Sequence, residues 1–327
     1  MANLHKQFQT FHDKVALTSA KKQSLKQARD AIRERIRKYF KDTLELAVPK
    51  FKGQGSYAMV TTTNPIDGEF DIDDGVYLQH LDTDDESKWP TPATVHRWLV
   101  NATEGHTDEK PIDKQTCVRI KYAGKYHVDL PAYGIINDNC KLAIKGDKGW
   151  TVSDPKSITD WFIGKVKING EQLRRIVRNL KAWADFQSGR RGKMPSGLIL
   201  TVLASEHFIS DDRDDICFSK TINAISNEVK TIFCVYNPKD ANEELTERLT
   251  DAQKKRFQEA ISDLASVSSD AINHENDHEA SKLWRKQFGD RFPKVEQEQS
   301  EEESRANVAA VGAFYSSKNP IKPYGFK

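Results

Sequence analysis

The sequence predicts an α/β (α+β) protein of two lobes, a mixed strand-and-helix lobe followed by an all-helical one. Three observations carry this. A long amphipathic helix opens the chain, short strand-like runs between Gly- and Asp-rich turns follow it, and from about residue 155 the pattern turns helical. The expected division is 1–165 for the first lobe with its bracing helix, 166–295 for the helical lobe, and 296–327 for an acidic linker and tail.

The opening helix is read over 18–46, where Leu25, Ala28, Ile32, Ile36 and Phe40 recur at intervals of three and four while Lys, Arg and Glu occupy the other faces. It is long enough to brace both lobes, and Pro49 and Gly53 end the pattern. Strands are expected at 70–78, 117–122 and 126–130, the last two joined as a hairpin through Ala123 and Gly124. Farther on, Leu173, Ile176, Val177, Leu180 and Ala184 mark one face of a helix, with a basic loop from Gln187 to Lys193 after it. Pro195-Ser196-Gly197 then opens a nearly all-apolar stretch, Leu198 to Ala204, expected as a buried helix capped by Ser196. Residues 243–265 and 270–288 are further helical candidates. Val295 to Ser304 is acidic and Gln-rich, the composition of a solvated linker, and the tail from Ala306 to Lys327 has no clear period.

At 327 residues, 30% charged and 37% hydrophobic, the chain has the composition of an ordinary soluble protein with a substantial core. A net charge of +2 argues neither for nor against a nucleic-acid partner. Cys117, Cys140, Cys217 and Cys234 form no CxxC pair, which disfavours a zinc ribbon or a disulfide framework and fits a reducing cytoplasm. No apolar run suits a signal sequence or a membrane helix, so a cytoplasmic protein without a membrane partner is expected.

The chemistry is concentrated in Gln54-Gly55-Ser56-Tyr57 and Glu69-Phe70-Asp71-Ile72-Asp73-Asp74-Gly75. On a strand, side chains alternate faces, so Asp71 and Asp73 point one way and Phe70 and Ile72 the other. Two carboxylates about 7 Å apart on one face repel unless a cation lies between them, and hard oxygen ligands select magnesium, for which manganese can substitute. A bare Asp-x-Asp is also common in solvated turns. The upstream Gly-Ser adds weight, since glycine lets backbone N–H groups approach a phosphate and the serine hydroxyl adds a donor. In Tyr126-His127-Val128-Asp129-Leu130-Pro131, a strand beside the first would bring Asp129 to the Asp71/Asp73 face and complete a set of ligands for two metal ions.

Gly-Ser, Asp-x-Asp and a distal Asp resemble the signature of the polymerase-β-like nucleotidyltransferases. The segments Gln54-Gly55-Ser56, Phe70 to Gly75, Lys114 to Lys121, His127 to Pro131, Ser153-Asp154-Pro155, Asp160-Trp161-Phe162 and Leu180-Lys181-Ala182-Trp183 together resemble the bacterial cGAS/DncV-like enzymes (CD-NTases). That resemblance runs in order from about residue 17 to 205. It implies a polymerase-β-like lobe and a helical lobe with the active site in the cleft between them. It further implies synthesis of a cyclic oligonucleotide messenger from ATP and GTP, cyclic GMP-AMP or a related cyclic di- or trinucleotide, on two magnesium ions. The messenger would activate a separate effector in anti-phage defence (CBASS), with accessory proteins and without a nucleic-acid requirement. By motif match, Lys181 and Ser196 resemble residues that contact the triphosphate, and Gln54 and Arg119 residues of the nucleotide pockets. A cation on an amphipathic helix and a serine at a helix N-terminus suit an anion, and the planar fork of Arg119 suits the acceptors of guanine. Many family members end in a small residue that a ligation system conjugates; Tyr324-Gly325-Phe326-Lys327 does not fit that pattern.

Two other readings stay open at this stage, a transferase that adds nucleotides to RNA or protein and a catalytically inactive nucleotide-binding protein. The near-neutral charge gives the RNA version little support. His274-Glu275-Asn276-Asp277-His278 matches the zinc-protease pattern, but Asn and Asp inside it are poor helix-interior residues, and a polar helix start is expected instead.

Overall fold

The computed structural model describes residues 1–66, 69–124 and 126–297. The linker and tail expected over 296–327 therefore lie, from residue 298 on, outside the described residues. In chain order the elements are α1 (His5–Val15), α2 (Ser19–Lys38), β1 (Lys50–Gln54), α3 (Gly55–Ala58), β2 (Phe70–Tyr77), α4 (Pro92–Thr103), β3 (Ile112–Asp113), β4 (Val118–Tyr122), β5 (Tyr126–Leu130), β6 (Ala132–Ile136), β7 (Asn139–Ile144) and β8 (Gly149–Val152). The helical half follows with α5 (Pro155–Asn169), α6 (Glu171–Arg191), α7 (Gly197–Glu206), α8 (Asp214–Thr231), the small pair β9 (Tyr236–Asn237) and β10 (Asp240–Glu244), α9 (Asp251–Asn273) and α10 (Asp277–Phe288).

Among the described residues, β1 to β8 form one mixed sheet in which β2 is central, antiparallel to β1 and parallel first to β5 and then to β6. Its core combines Ile72, Val76, Val118, Ile120, Val128 and Leu130 with Leu25, Ile32 and Ile36 of α2, which lies across it. The third aspartate of the 71–74 run falls on this inner face. Asp74 is fully buried and accepts two hydrogen bonds from Arg33 of α2, at 2.7 and 2.5 Å, so the charge is paired rather than orphaned.

The second core is a helical one, built on Phe8, Phe11, Trp183, Phe218, Trp284 and Phe288. It corrects two expectations. All the buried residues of α2 belong to the sheet lobe, so that helix does not brace both lobes; instead α1, which the periodicity missed, packs in the helical core. The chain thus starts in the helical lobe and crosses to the other. The basic loop expected from Gln187 to Lys193 is also helical as far as Arg191. Its stop is Gly192 at φ +94°, while Gln187 is buried and donates to the Gln287 carbonyl at 3.0 Å.

Helix starts follow their caps. Asp154 caps α5 with Pro155 in its first turn, Ser196 caps α7, and Thr250 and Gln253 form a capping box on α9. That box begins α9 at Asp251 rather than 243, residues 240–244 pairing with β9 instead, and α9 runs on to Asn273. Asn276 then caps α10. His274 and His278 therefore do not share one helix, as H-E-x-x-H zinc chemistry requires. The cysteines are free, and no helix among the described residues is long and apolar enough to cross a membrane.

Candidate active site

Parallel pairing of β2 with β5 sets Asp73 directly opposite Asp129, and Asp71 opposite His127. Period two then does the rest: Phe70 and Ile72 point into the sheet core, and the carboxylates emerge on the outer face. Behind β1, Gly55 opens α3 at φ +64°, and a Cβ there would fall 2.2 Å from Asp73 Oδ2. Both the conformation and the space disfavour any side chain there, so glycine lets the Gly-Ser turn lie directly against the carboxylate strand.

A cleft of about 520 Å³ lies between the lobes, with Gly55, Ser56, Asp71 and Asp73 on one wall and Lys181 of α6 and Gly197 of α7 on the other; Asp129 is not among the residues that line it. Lys181 Nζ lies 3.1 Å from Thr61 Oγ1, which also lines the cleft. Electrostatics mark the cleft from both sides. Loss of hydration, followed by repulsion from Asp71 and Asp129, pushes Asp73 up to about 8. Loss of hydration also pushes Lys181 down to about 8, with Arg178 adding to it and Asp71 opposing it.

The family model described as the DncV-like nucleotidyltransferase domain of cyclic GMP-AMP synthase matches residues 49–133, and the model for the C-terminal domain of that synthase matches 170–300. The chain belongs to the bacterial cGAS/DncV-like family.

Cyclic GMP-AMP synthases of the family from Escherichia albertii and Vibrio cholerae are 33% and 28% identical over 63% and 57% of this chain. The chain spans about half the length of these relatives, 47% and 53%. Other relatives are a c-di-GMP synthase from Roseivirga ehrenbergii at 26% and a cyclic AMP-AMP-AMP synthase from an Acinetobacter species at 24%. The crystal structure of Vibrio cholerae DncV in complex with the linear intermediate 5' pppA(3',5')pG superposes with a TM-score of 0.74 and 25% identity, covering 90% of this chain and 98% of that one. The polymerase-β-like fold expected from the sequence is the fold of this cGAS/DncV-like chain.

The remaining residues singled out from cGAS/DncV-like motifs sit less directly on the cleft. Gln54 is buried beneath the turn, its Nε2 donating to the Tyr133 hydroxyl at 3.2 Å. Ser196 is spent on its own helix, its Oγ accepting from the Ile199 N–H at 3.4 Å, while its neighbours Pro195 and Gly197 line the cleft. Arg119 departs furthest from expectation. Its Nε and Nη2 each donate to an Asp129 oxygen at 2.7 Å, so the fork expected to face guanine holds a carboxylate instead. The reason is the hairpin register, which sets Arg119 opposite Asp129.

The donor set suits a hard divalent cation: two carboxylates on one strand face, one of them disfavoured as an anion by its neighbours until a cation joins them. Among the described residues, no three His, Cys, Asp or Glu side chains already converge as a closed cage, and Asp129 is held by Arg119. Asp71 and Asp73 are thus the cleft carboxylates that could hold such an ion, while Asp129 is engaged by Arg119. Sequence reasoning missed Asp185, which lines the cleft one turn beyond Lys181 and accepts from the Ile66 N–H at 3.0 Å. The i, i+4 spacing from Lys181 was the available signal.

Proposed function

We propose that the chain is a nucleotidyltransferase that joins ATP and GTP into a cyclic oligonucleotide, releasing pyrophosphate. The observation that carries the reading is one cleft with a carboxylate strand face and the Gly-Ser turn on one side and a desolvated lysine on the other. Anion and cation chemistry on opposite walls suits a metal-bound triphosphate and little else of that size. The names of the relatives support ring formation as the common product class while differing in base composition, from cyclic GMP-AMP to c-di-GMP and cyclic AMP-AMP-AMP. Cyclic GMP-AMP is the product proposed here.

In this reading Gly55 leaves the backbone open to the phosphates, Ser56 supplies a hydroxyl, and Lys181 faces the triphosphate from α6. An anion entering beside Lys181 favours its charged form and offsets the loss of hydration that lowers it. Asp71, Asp73 and Asp129 would hold two magnesium ions, which when bound lower the pKa of the attacking ribose hydroxyl and neutralise charge on the departing pyrophosphate. No protein nucleophile is used. The linear product of the first joining keeps its own triphosphate and re-enters the same cleft for closure. The messenger acts on a separate effector in anti-phage defence (CBASS), and synthesis takes place in the cytoplasm.

The test is incubation of pure protein with labelled ATP and GTP and magnesium, followed by mass spectrometry of every product. A cyclic oligonucleotide supports the reading. Label transferred to RNA or protein, or no consumption of triphosphate, rejects it.

A further inference from the structure

The Gly-Ser turn ends in an unusual way. Helix α3 closes with the Thr61 N–H bonded to the Ser56 carbonyl at 2.8 Å and the Val60 N–H to the Tyr57 carbonyl at 3.1 Å. That paired pattern is the Schellman stop, whose left-handed residue is usually glycine. Here it is Val60, at φ +58° and 44% exposed. A β-branched side chain in that region is a steric outlier, and little burial compensates it locally.

Compensation comes from the other lobe. Arg174, Arg178 and Lys181 share one face of α6, at spacings of four and three, and meet three successive residues of the stop. Arg174 Nε donates to the Met59 carbonyl at 3.1 Å, Arg178 Nη2 donates to the Val60 carbonyl, and Lys181 Nζ meets Thr61. Of the three, Arg178 is the best fixed: it is 8% exposed, and its Nη1 meets His12 Nε2 of α1 at 3.0 Å. The carbonyls that the short helix leaves unbonded are thus answered by cations of α6.

We propose that Arg178 is a positioning residue for nucleotidyl transfer: by holding the Val60 carbonyl it keeps the strained stop closed, and with it Gly55 and Ser56 at the phosphate site. The inference rests on the nucleotidyltransferase reading for its effect on turnover, but not for the tie itself. It touches no substrate, and α6 thereby joins the two lobes at the turn that grips the phosphates.

The experiment compares Arg178→Gln, Val60→Gly and the double variant in the full chain with magnesium, ATP and GTP. Arg178→Gln lowers kcat/KM by about tenfold or more, the scale of one strained residue released. Val60→Gly, added to it, returns kcat/KM to within about threefold of wild type, because glycine adopts the left-handed conformation unaided. Alone, Val60→Gly melts at or above the wild-type Tm. An Arg178→Gln protein within about twofold of wild type, or a double variant as slow as Arg178→Gln, overturns the proposal. Where Arg178→Gln does not fold, Val60→Gly decides by itself: a Tm below wild type means that Val60 was not strained and the idea is lost. A wild type that consumes no triphosphate sinks the nucleotidyltransferase reading and leaves this one testable. Hydrogen exchange at the Val60 and Thr61 amides then reads the tie, faster in Arg178→Gln and restored in the double variant; unchanged exchange contradicts it.

Discussion

In the sheet lobe, Asp71, Asp73 and Asp129 owe their places to two paired strands, whereas in the helical lobe Lys181 lines the cleft, with Arg174 and Arg178 on the same helix face, because α6 lies against residues 59–61. The two walls differ in what fixes them. A strand's alternation is local and survives any change of surroundings, so the carboxylates are as rigid as the sheet. The cations depend on contacts more than 110 residues apart in sequence, 174 with 59 being the first. The acidic wall should therefore tolerate loss of its charges without losing shape, and the basic wall should not.

The largest effect belongs to the acidic wall. Asp73→Asn should cut product formation about a thousandfold or more while the fold stays intact, since in the proposed reaction the carboxylate holds a metal ion and without one it is repelled by its neighbours. A lowered Tm together with modest loss of turnover would reverse the contrast.

On the basic wall, Lys181→Ala should weaken triphosphate binding by about ten- to a hundredfold, the range for one hydrogen bond to a charged group. Calorimetry at rising salt should show the deficit shrink as charge attraction is screened. Because Lys181 is held down to about 8 in the free protein, wild-type affinity should fall as pH climbs past that value, and the variant should lack this fall. Identical pH profiles would remove Lys181 from the phosphate grip.

A smaller effect separates the two readings of Arg119. Its bidentate bond to Asp129 predicts that Arg119→Lys shifts the magnesium requirement by a few-fold, lysine being a poor substitute for the fork, and leaves the ratio of guanine to adenine incorporated nearly unchanged. A strong drop in guanine use would return Arg119 to the base pocket expected from its motif.

The last effect is read in stability rather than in turnover. Asp73 is raised from its ordinary value of 3.8 to about 8 in the fold, so the metal-free folded state binds more protons than the unfolded one between those limits. Stability should therefore be full below pH 4 on this account and decline as pH rises towards about 8, with Asp73→Asn removing that slope and magnesium offsetting it at the upper end. A slope that survives in Asp73→Asn assigns it to another group.

What was legible in the sequence follows the same division. The carboxylates could be read because period two and a parallel neighbour are enough to gather them, and Gly55 because a Gly-Ser pair upstream of Asp-x-Asp is itself a motif. Gln54 and Arg119 could be recognised by motif but not oriented. A two-residue turn at Ala123 and Gly124 would have paired Tyr122 with residue 125; the structure pairs Tyr122 with Tyr126, and that single-residue difference sets Arg119 against Asp129. Gln54 is held by Tyr133, 79 residues away. The role of Arg178 was beyond reach from the sequence, since it needs the left-handed Val60, the third turn of α6 and α1 to be in one place. Helices α1 and α8 were missed because their apolar faces are short or interrupted by polar residues that the fold buries, such as Asp214 and Asp215.

The central claim is that both walls act on one metal-bound triphosphate whose pyrophosphate leaves. Its most direct measurement is the stoichiometry of pyrophosphate release by wild type and Asp73→Asn protein, matched for Tm, in magnesium with ATP and GTP. One pyrophosphate per phosphodiester bond formed, and none from Asp73→Asn, is the predicted result. Release of orthophosphate instead, or equal pyrophosphate from both proteins, would contradict it.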